Sequence, residues 1–274
     1  MNTQTPSTAT LALQAVTHRH GMQTALAQVS LTVHAGETVA LVGPSGCGKT
    51  TLLHLAAGLQ LPWEGQVHNG FARTGVMFQQ PRLLPWLTTQ ANVALSLKAR
   101  GVPKAQREHL AGSLALEMGL TPDDLAKHPN ALSGGMQSRA ALARAFAIAP
   151  DLLLLDEAFT ALDIGLKAEL YRLLLRQRQA HGTAVLMVTH DLMEAVRLAD
   201  RIVVLAGAPG RVCTHHLLHT PAHQRDDAWV HQQTAAFLAD PLVRQAFGLP
   251  TSQACATQPM GGRHRDARSE NIKR

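Results

Sequence analysis

Gly43-Pro44-Ser45-Gly46-Cys47-Gly48-Lys49-Thr50-Thr51 has the spacing G-x-x-x-x-G-K-[ST]. Glycines so placed let successive backbone N–H groups curl into one concavity. A helix starting after the loop aims its positive end at the same point. Such a cradle suits phosphate. Lys49 can reach the β- and γ-phosphates of a nucleotide, and the Thr50 hydroxyl can ligate Mg²⁺. Asp156-Glu157 follow the apolar run Leu152–Leu155. With a phosphate loop upstream, Asp156 is the natural Mg²⁺ partner, and Glu157 is placed to orient or deprotonate a water for attack on the γ-phosphate. Ser133-Gly134-Gly135 precede a long helical pattern and form a second anion cradle, with Ser133 as cap or ligand. One nucleotide needs one cradle, so the second is expected to serve another subunit's nucleotide. His190 ends an apolar strand and can hydrogen-bond a γ-phosphate or a water. Gln79, at another strand end, can contact Mg²⁺ or its water through its amide oxygen. Cys47 sits at a helix N-terminus beside Lys49, so its thiol is expected to be acidic and its alkylation to block ATP binding.

These residues need strands to deliver them. Thr38–Val42 reads as a strand before the glycine loop, and Leu52, Leu55 and Ala56 mark a helix after it, stopped by Gly58. Leu11–Val16 and Val29–Val33 alternate as strands do, with His18–Gly21 as the turn between them. Gln66–His68 and Gly75–Phe78 are short strands. From Leu87 to Ala149 the pattern is helical, with helices expected over Asn92–Ala99, Lys104–Met118 and Met136–Ile148, interrupted by Pro122 and Pro129. Strand and helix then alternate: Leu152–Leu155, a helix marked by Leu166, Leu170, Leu173 and Leu174, Thr183–Val188, a helix to about Ala199, and Ile202–Leu205. Alternation of this kind argues for a largely parallel sheet with a helical subdomain inserted. Beyond Gly207 the signal weakens to a Pro209-Gly210 turn and a helix over Ala228–Leu238. Residues 261–274 read as a disordered basic tail.

The 274 residues suffice for one large α/β domain or two small ones. Aromatic residues are only 4%, which argues against stacking on nucleic-acid bases, and no nucleic-acid partner is expected despite the net charge of +6. No run approaches the roughly 18 apolar residues of a membrane span, and Met1–Thr10 carries no secretory pattern. Three widely spaced cysteines form no disulfide framework and fit a reducing cytosol.

Residues 9 to 212 resemble the nucleotide-binding subunit of an ABC transporter. Gly43–Thr50 resembles Walker A, Gln79 the Q-loop, Leu132–Gln137 the signature motif, Leu152–Asp156 Walker B with Glu157 as its catalytic glutamate, Ala161-Leu162-Asp163 the D-loop, and His190 the switch histidine. The resemblance implies a P-loop NTPase (RecA-like) core with an N-terminal antiparallel β-subdomain and an inserted helical subdomain at about 80–150. The ATPase domain would span 9–216, with a helical extension over 217–260. Two chains would face each other head to tail, with ATP between Walker A of one and Ser133–Gly135 of the other. Catalysis would fall to Glu157, His190 and Gln79. ATP contacts would come from His20, Gly43, Pro44, Ser45, Gly46, Cys47, Gly48, Lys49, Thr50, Thr51, Ser133, Gly134, Gly135 and Asp163, and Mg²⁺ contacts from Thr50, Gln79 and Asp156. His20 stands where relatives stack adenine on tyrosine or tryptophan, and Gln137-Ser138 stand where they often carry a basic residue and glutamine. Phe78–Trp86 and Leu198–Leu205, with Ala208–Arg211, resemble the nitrate, sulfonate and taurine importers. The resemblance therefore implies a peripheral ATPase on the cytoplasmic face of the inner membrane, docked on permease subunits. A periplasmic solute-binding protein would supply a small anionic solute. An exporter or lipid-transport ATPase is the alternative with the same chemistry.

Overall fold

The chain opens as a hairpin because alternating apolar residues give each strand one face to bury. A computed structural model describes residues 9–160 and 162–250. Ala161 and the expected basic tail lie outside the described residues. Strands β1 (Thr10–His20) and β2 (Gln23–His34) pair antiparallel, with Leu11, Leu13, Val16, Val29, Leu31 and Val33 inside. His18–Gly21 is not the turn: His18 pairs with Leu26 and His20 with Gln23, so only Gly21-Met22 turn the chain. A two-residue hairpin loop needs positive φ, which Gly21 supplies at 58°. The polar end of β1 lacks apolar alternation, so the sequence pattern stops before the strand does.

β3 (Thr38–Val42) carries the glycine loop and is buried at every residue. β4 (Glu64–Asn69) pairs with β1, which gives a three-stranded antiparallel sheet of order β2-β1-β4. The second sheet has six strands in the order β5-β6-β7-β3-β8-β9. In it β5 (Thr74–Met77), β6 (Leu152–Asp156), β7 (Ala184–Val188) and β8 (Arg201–Ala206) run parallel to β3. β9 (Arg211–Leu217) closes the edge antiparallel to β8. Burial on both faces explains why β6 reads as an unbroken leucine run. Each of Leu152–Leu155 is at most 1% exposed, and burying such a side chain is worth roughly 1.5–3 kcal/mol. β9 escaped the sequence reading because alternate residues face solvent, and they are arginine, cysteine, histidine and leucine.

Helix α1 (Lys49–Ala56) follows the loop. The stretch expected as one helix over Asn92–Ala99 is two, α2 (Thr89–Val93) and α3 (Leu95–Ala99). α2 begins earlier than the apolar pattern because Thr88 caps it through the Ala91 N–H. α4 (Lys104–Glu117) and α5 (Pro122–Ala126) come next. Pro122 opens α5 rather than breaking a helix, since proline at the first turn forfeits no hydrogen bond. α6 (Gly134–Phe146) starts two residues before the expected Met136, because Ser133 accepts the Met136 N–H and caps it there. At its other end Arg144 donates to the carbonyls of Pro81 (2.7 Å) and Arg82 (2.8 Å). Asp163 caps α7 (Ile164–His181) and Asp191 caps α8 (Leu192–Leu198). Such caps are worth about 1 kcal/mol each. α9 (Asp227–Ala239) and α10 (Pro241–Ala246), both within the expected helical extension, end the described chain, and Asp240 caps the latter. One apolar core runs between helices α2, α4, α6, α7, α8, α9 and α10 and one face of the large sheet, and a second joins its other face to the small sheet and α1.

Candidate functional site

Strand register gathers the polar residues at one sheet edge. Val188 of β7 stands opposite both Leu41 of β3 and Asp156 of β6, and Met77 of β5 stands opposite Leu155. Parallel strands therefore finish level. Gly43 lies two residues past Leu41, Glu157 one past Asp156, His190 two past Val188 and Gln79 two past Met77. Function in open parallel sheets concentrates at these carboxyl ends.

The glycine loop wraps a cleft of about 370 Å³ lined by His20, Gln23, Thr24, Ala25, Ser45, Gly46, Gly48, Lys49, Thr50, Thr51, Glu157 and Ala208. Gly43 permits no side chain: a Cβ there would stand 1.9 Å from the Leu205 carbonyl oxygen. Gly48 has φ 93° and meets Leu26 in the same way. The buried Lys49 ammonium donates to the carbonyls of Gly43 and Pro44, both at 2.9 Å, so it bridges the loop it belongs to. Thr50 Oγ1 donates to Asp156 Oδ1 at 3.0 Å. Burial raises the Asp156 carboxyl above its usual range, against the pull of the Thr50 hydroxyl and of His54, whose Nε2 lies 3.8 Å from Oδ2.

Glu157 has φ 45°, an unusual value for a residue with a Cβ, and its N–H donates to the Val188 carbonyl at 2.9 Å. The strained backbone turns its side chain into the cleft, a pattern typical of active sites. Its Oε2 lies 3.3 Å from His190 Nδ1 and 3.4 Å from Gln79 Nε2. The three expected catalytic side chains therefore meet at one carboxylate oxygen. It is the Gln79 amide nitrogen that faces Glu157.

Ser133, Gly134, Gly135 and Asp163 do not line this cleft. Ser133 and Gly134 are exposed, as is Asp163 at the head of α7. Gly135 sits against Leu166, which a Cβ would approach to 2.5 Å, so the second cradle packs on the start of α7. His20 does reach the cleft: its Nε2 lies 3.1 Å from Thr51 Oγ1, and His18 meets its ring edge-on at 4.9 Å.

The expected acidity of Cys47 is overturned. Its thiol is 2% exposed and burial raises its pKa, outweighing Lys49, whose Nζ lies 4.0 Å from the sulfur. Apolar burial disfavours the thiolate and here outweighs both the helix start and the nearby ammonium.

Two contributors carried weak sequence signals. His54 stands beside Asp156, one helical turn past Thr50, a spacing that puts both on one face of α1. Gly210 backs the loop: it exchanges hydrogen bonds with Ala25 and Ala27, and Ala208 lines the cleft. Only the Pro209-Gly210 turn hinted at that.

The donor set suits Mg²⁺. A hydroxyl and a carboxylate lie 3.0 Å apart beside a phosphate cradle, and Mg²⁺ takes one or two such oxygens together with phosphates and waters. Among the described residues no group of three His, Cys, Asp or Glu side chains competes as a metal site.

Fold and site together define a P-loop ATPase, with Ser133 and Gly134 turned outward. A family model described as ABC transporter matches residues 26–160. The chain is 46% identical over 216 residues to the aliphatic sulfonates import ATP-binding protein SsuB 2 of Burkholderia lata, covering 75% of this chain and 77% of that one. It is 44% identical over 197 residues to the taurine import ATP-binding protein TauB of Chromobacterium violaceum, covering 69% and 75%. The dimeric structure of MJ0796, a bacterial ABC transporter cassette, superposes with a TM-score of 0.70 at 32% identity, covering 77% of this chain and all of that one. The same cassette is also similar in a post-hydrolysis state bound to ADP and Pi, at a TM-score of 0.68. The chain belongs to the ATP-binding subunits of ABC transporters. Among its described residues no helix is long and apolar enough to cross a membrane.

Proposed function

We propose that this chain is the ATP-hydrolysing subunit of an importer for a small sulfonate-like anion, working as a homodimer beneath partner permeases at the cytoplasmic face of the membrane. A solute-binding protein would deliver the solute. The observation that carries the reading is the meeting of His190 and Gln79 at Glu157, which lines the glycine-loop cleft; the exposure of Ser133 and Gly134 leaves them open to a second copy. The names of the SsuB and TauB relatives support the direction of transport and the solute class.

In this reading the loop N–H groups and Lys49 hold the β- and γ-phosphates, and the α1 N-terminus adds its partial positive charge. Thr50, Asp156 and Gln79 would hold Mg²⁺, which neutralises phosphate charge when bound. Glu157 orients and deprotonates the attacking water, a contribution of typically 10²–10⁴-fold. His190, 3.3 Å from Glu157, holds the γ-phosphate end of the site. His20 stacks on adenine. Ser133, Gly134 and Gly135 cap the γ-phosphate of the facing chain, and Asp163 links the two sites. Closing of this sandwich moves the permeases, and hydrolysis reopens it.

The test is Glu157→Gln. It keeps the shape of the site and removes the base, so hydrolysis falls by at least about 10²-fold and ATP with Mg²⁺ drives the protein to a stable dimer on size exclusion. A variant that stays monomeric under saturating ATP refutes the head-to-tail arrangement. Co-expression with the permease genes beside its own and reconstitution with binding protein yields taurine- or sulfonate-stimulated ATPase. No stimulation by any anionic solute refutes the importer assignment.

A further inference from the structure

The switch histidine stands on a segment whose neighbours are held by a side chain that the ATPase reading leaves without a role. Thr189 is fully buried, and its N–H donates to the Leu41 carbonyl at 3.2 Å. Its hydroxyl makes two contacts that straddle His190. It donates to Glu194 Oε2, and it accepts the Asp191 N–H at 3.0 Å. Asp191 in turn caps α8 by accepting the Met193 and Glu194 N–H groups at 3.0 and 3.1 Å, and Lys167 of α7 holds its other oxygen at 3.3 Å. The first turn of α8 therefore folds back on the backbone that presents His190, and Glu194 closes the circuit.

Glu194 is 3% exposed, and a buried carboxyl is costly to desolvate even when it is partly paired. The Tyr171 hydroxyl of α7 stands beside its carboxyl group, and its Oε2 accepts the Thr189 hydroxyl. That same hydroxyl accepts the Asp191 N–H, so the Glu194 contact fixes the chain on both sides of His190.

We propose that Glu194 is a positioning residue for hydrolysis, setting His190 against Glu157 through the Thr189 hydroxyl. The inference rests on the proposed role of His190. It asks the Glu194 side chain only to accept a hydrogen bond from the threonine hydroxyl, which an uncharged amide oxygen can also do. Burial pushes the Glu194 carboxyl up to about 7, so a neutral acceptor is a fair copy of it near neutrality. The charged and titratable groups that face it are Asp191, the cap of α8, and Lys167 and the Tyr171 hydroxyl from α7, with Arg197 of α8 acting on Tyr171.

The experiment compares steady-state ATPase of Glu194→Ala, Glu194→Gln, Thr189→Val, His190→Ala and the double variant Glu194→Ala/His190→Ala. Single loss of Glu194 or of the Thr189 hydroxyl is expected to lower kcat about tenfold, within the range set by misplacing a catalytic group. KM for ATP stays within about twofold, because the glycine loop is untouched. Glu194→Gln recovers most of the kcat lost in Glu194→Ala. The double variant is no slower than His190→Ala alone, since a residue acting only through His190 has nothing left to act on. A double variant slower by the product of the two single effects overturns the proposal. If Glu194→Ala does not fold, Thr189→Val decides: a kcat equal to that of the unaltered protein overturns it. His190→Ala with full activity would instead refute the role of His190 on which the inference stands.

Discussion

Gly210→Ala tests whether the glycine loop is held from behind. A Cβ at this position would stand 1.9 Å from the Cys47 carbonyl oxygen and 3.1 Å from its carbon. Real Cβ contacts essentially never fall under 3.0 Å, so something must retreat by at least 3.0 − 1.9 = 1.1 Å. Gly210 cannot readily yield, because it donates to Ala25 at 2.9 Å and accepts from Ala27 at 3.0 Å. Breaking that pair costs about 1 kcal/mol per bond. The loop is the softer side: its own Cys47-to-Pro44 hydrogen bond is long, at 3.4 Å. The displacement therefore falls on the N–H groups that cradle phosphate. A shift of about 1 Å in such a site can cost on the order of 10²-fold. Titration with a fluorescent ATP analogue, beside thermal melting, should give an affinity weakened about 10- to 100-fold by that reasoning, with the fold retained. Gly58→Ala is the control. Its φ of 69° strains an alanine, but nothing lies within 4 Å of the new methyl. It costs about 1–2 kcal/mol of stability and leaves ATP affinity unchanged. A Gly210→Ala protein that binds ATP within twofold of the unaltered one refutes the argument.

Two further outcomes follow from the same cleft. His20→Tyr enlarges the ring proposed to stack on adenine and should tighten ATP binding by about 2- to 5-fold, a modest part of the roughly 1–3 kcal/mol that an aromatic stack is worth. Unchanged or weaker affinity would place adenine elsewhere. Iodoacetamide at pH 8 should label the exposed Cys213 well before the buried Cys47, as peptide mass spectrometry would record, and brief labelling should leave ATP binding intact. Early modification of Cys47 would contradict its burial.

Much of this site could be read from residue order because its chemistry is local. A glycine loop, an acidic pair after a leucine run and a histidine after a strand each advertise themselves within ten residues. What joins them is not local. Val188 standing opposite both Leu41 and Asp156 is a fact of sheet register, which no short pattern encodes. Cys47 was misjudged for the same reason, since its burial depends on Gly43, Leu205 and Gly210 closing around the loop. β9 was missed because an edge strand with one wet face lacks the apolar run that marked β3, β6 and β7. The end of β1 was mistaken for a turn because its histidines and arginine are exposed or half-exposed.

Helix α6 has a further consequence. It is capped by the exposed Ser133, proposed to meet a facing chain, and near its end Arg144 donates to the carbonyls of Pro81 and Arg82. Thirteen helical residues make a rod about 20 Å long. A rod is stiff along its axis, so a push on Pro81 is not absorbed on the way. A sideways displacement of 1 Å at one end becomes a tilt of about 3° for a rod of that length. Mechanically the helix is a connecting lever that joins the backbone of Pro81 and Arg82 to the exposed cap at Ser133.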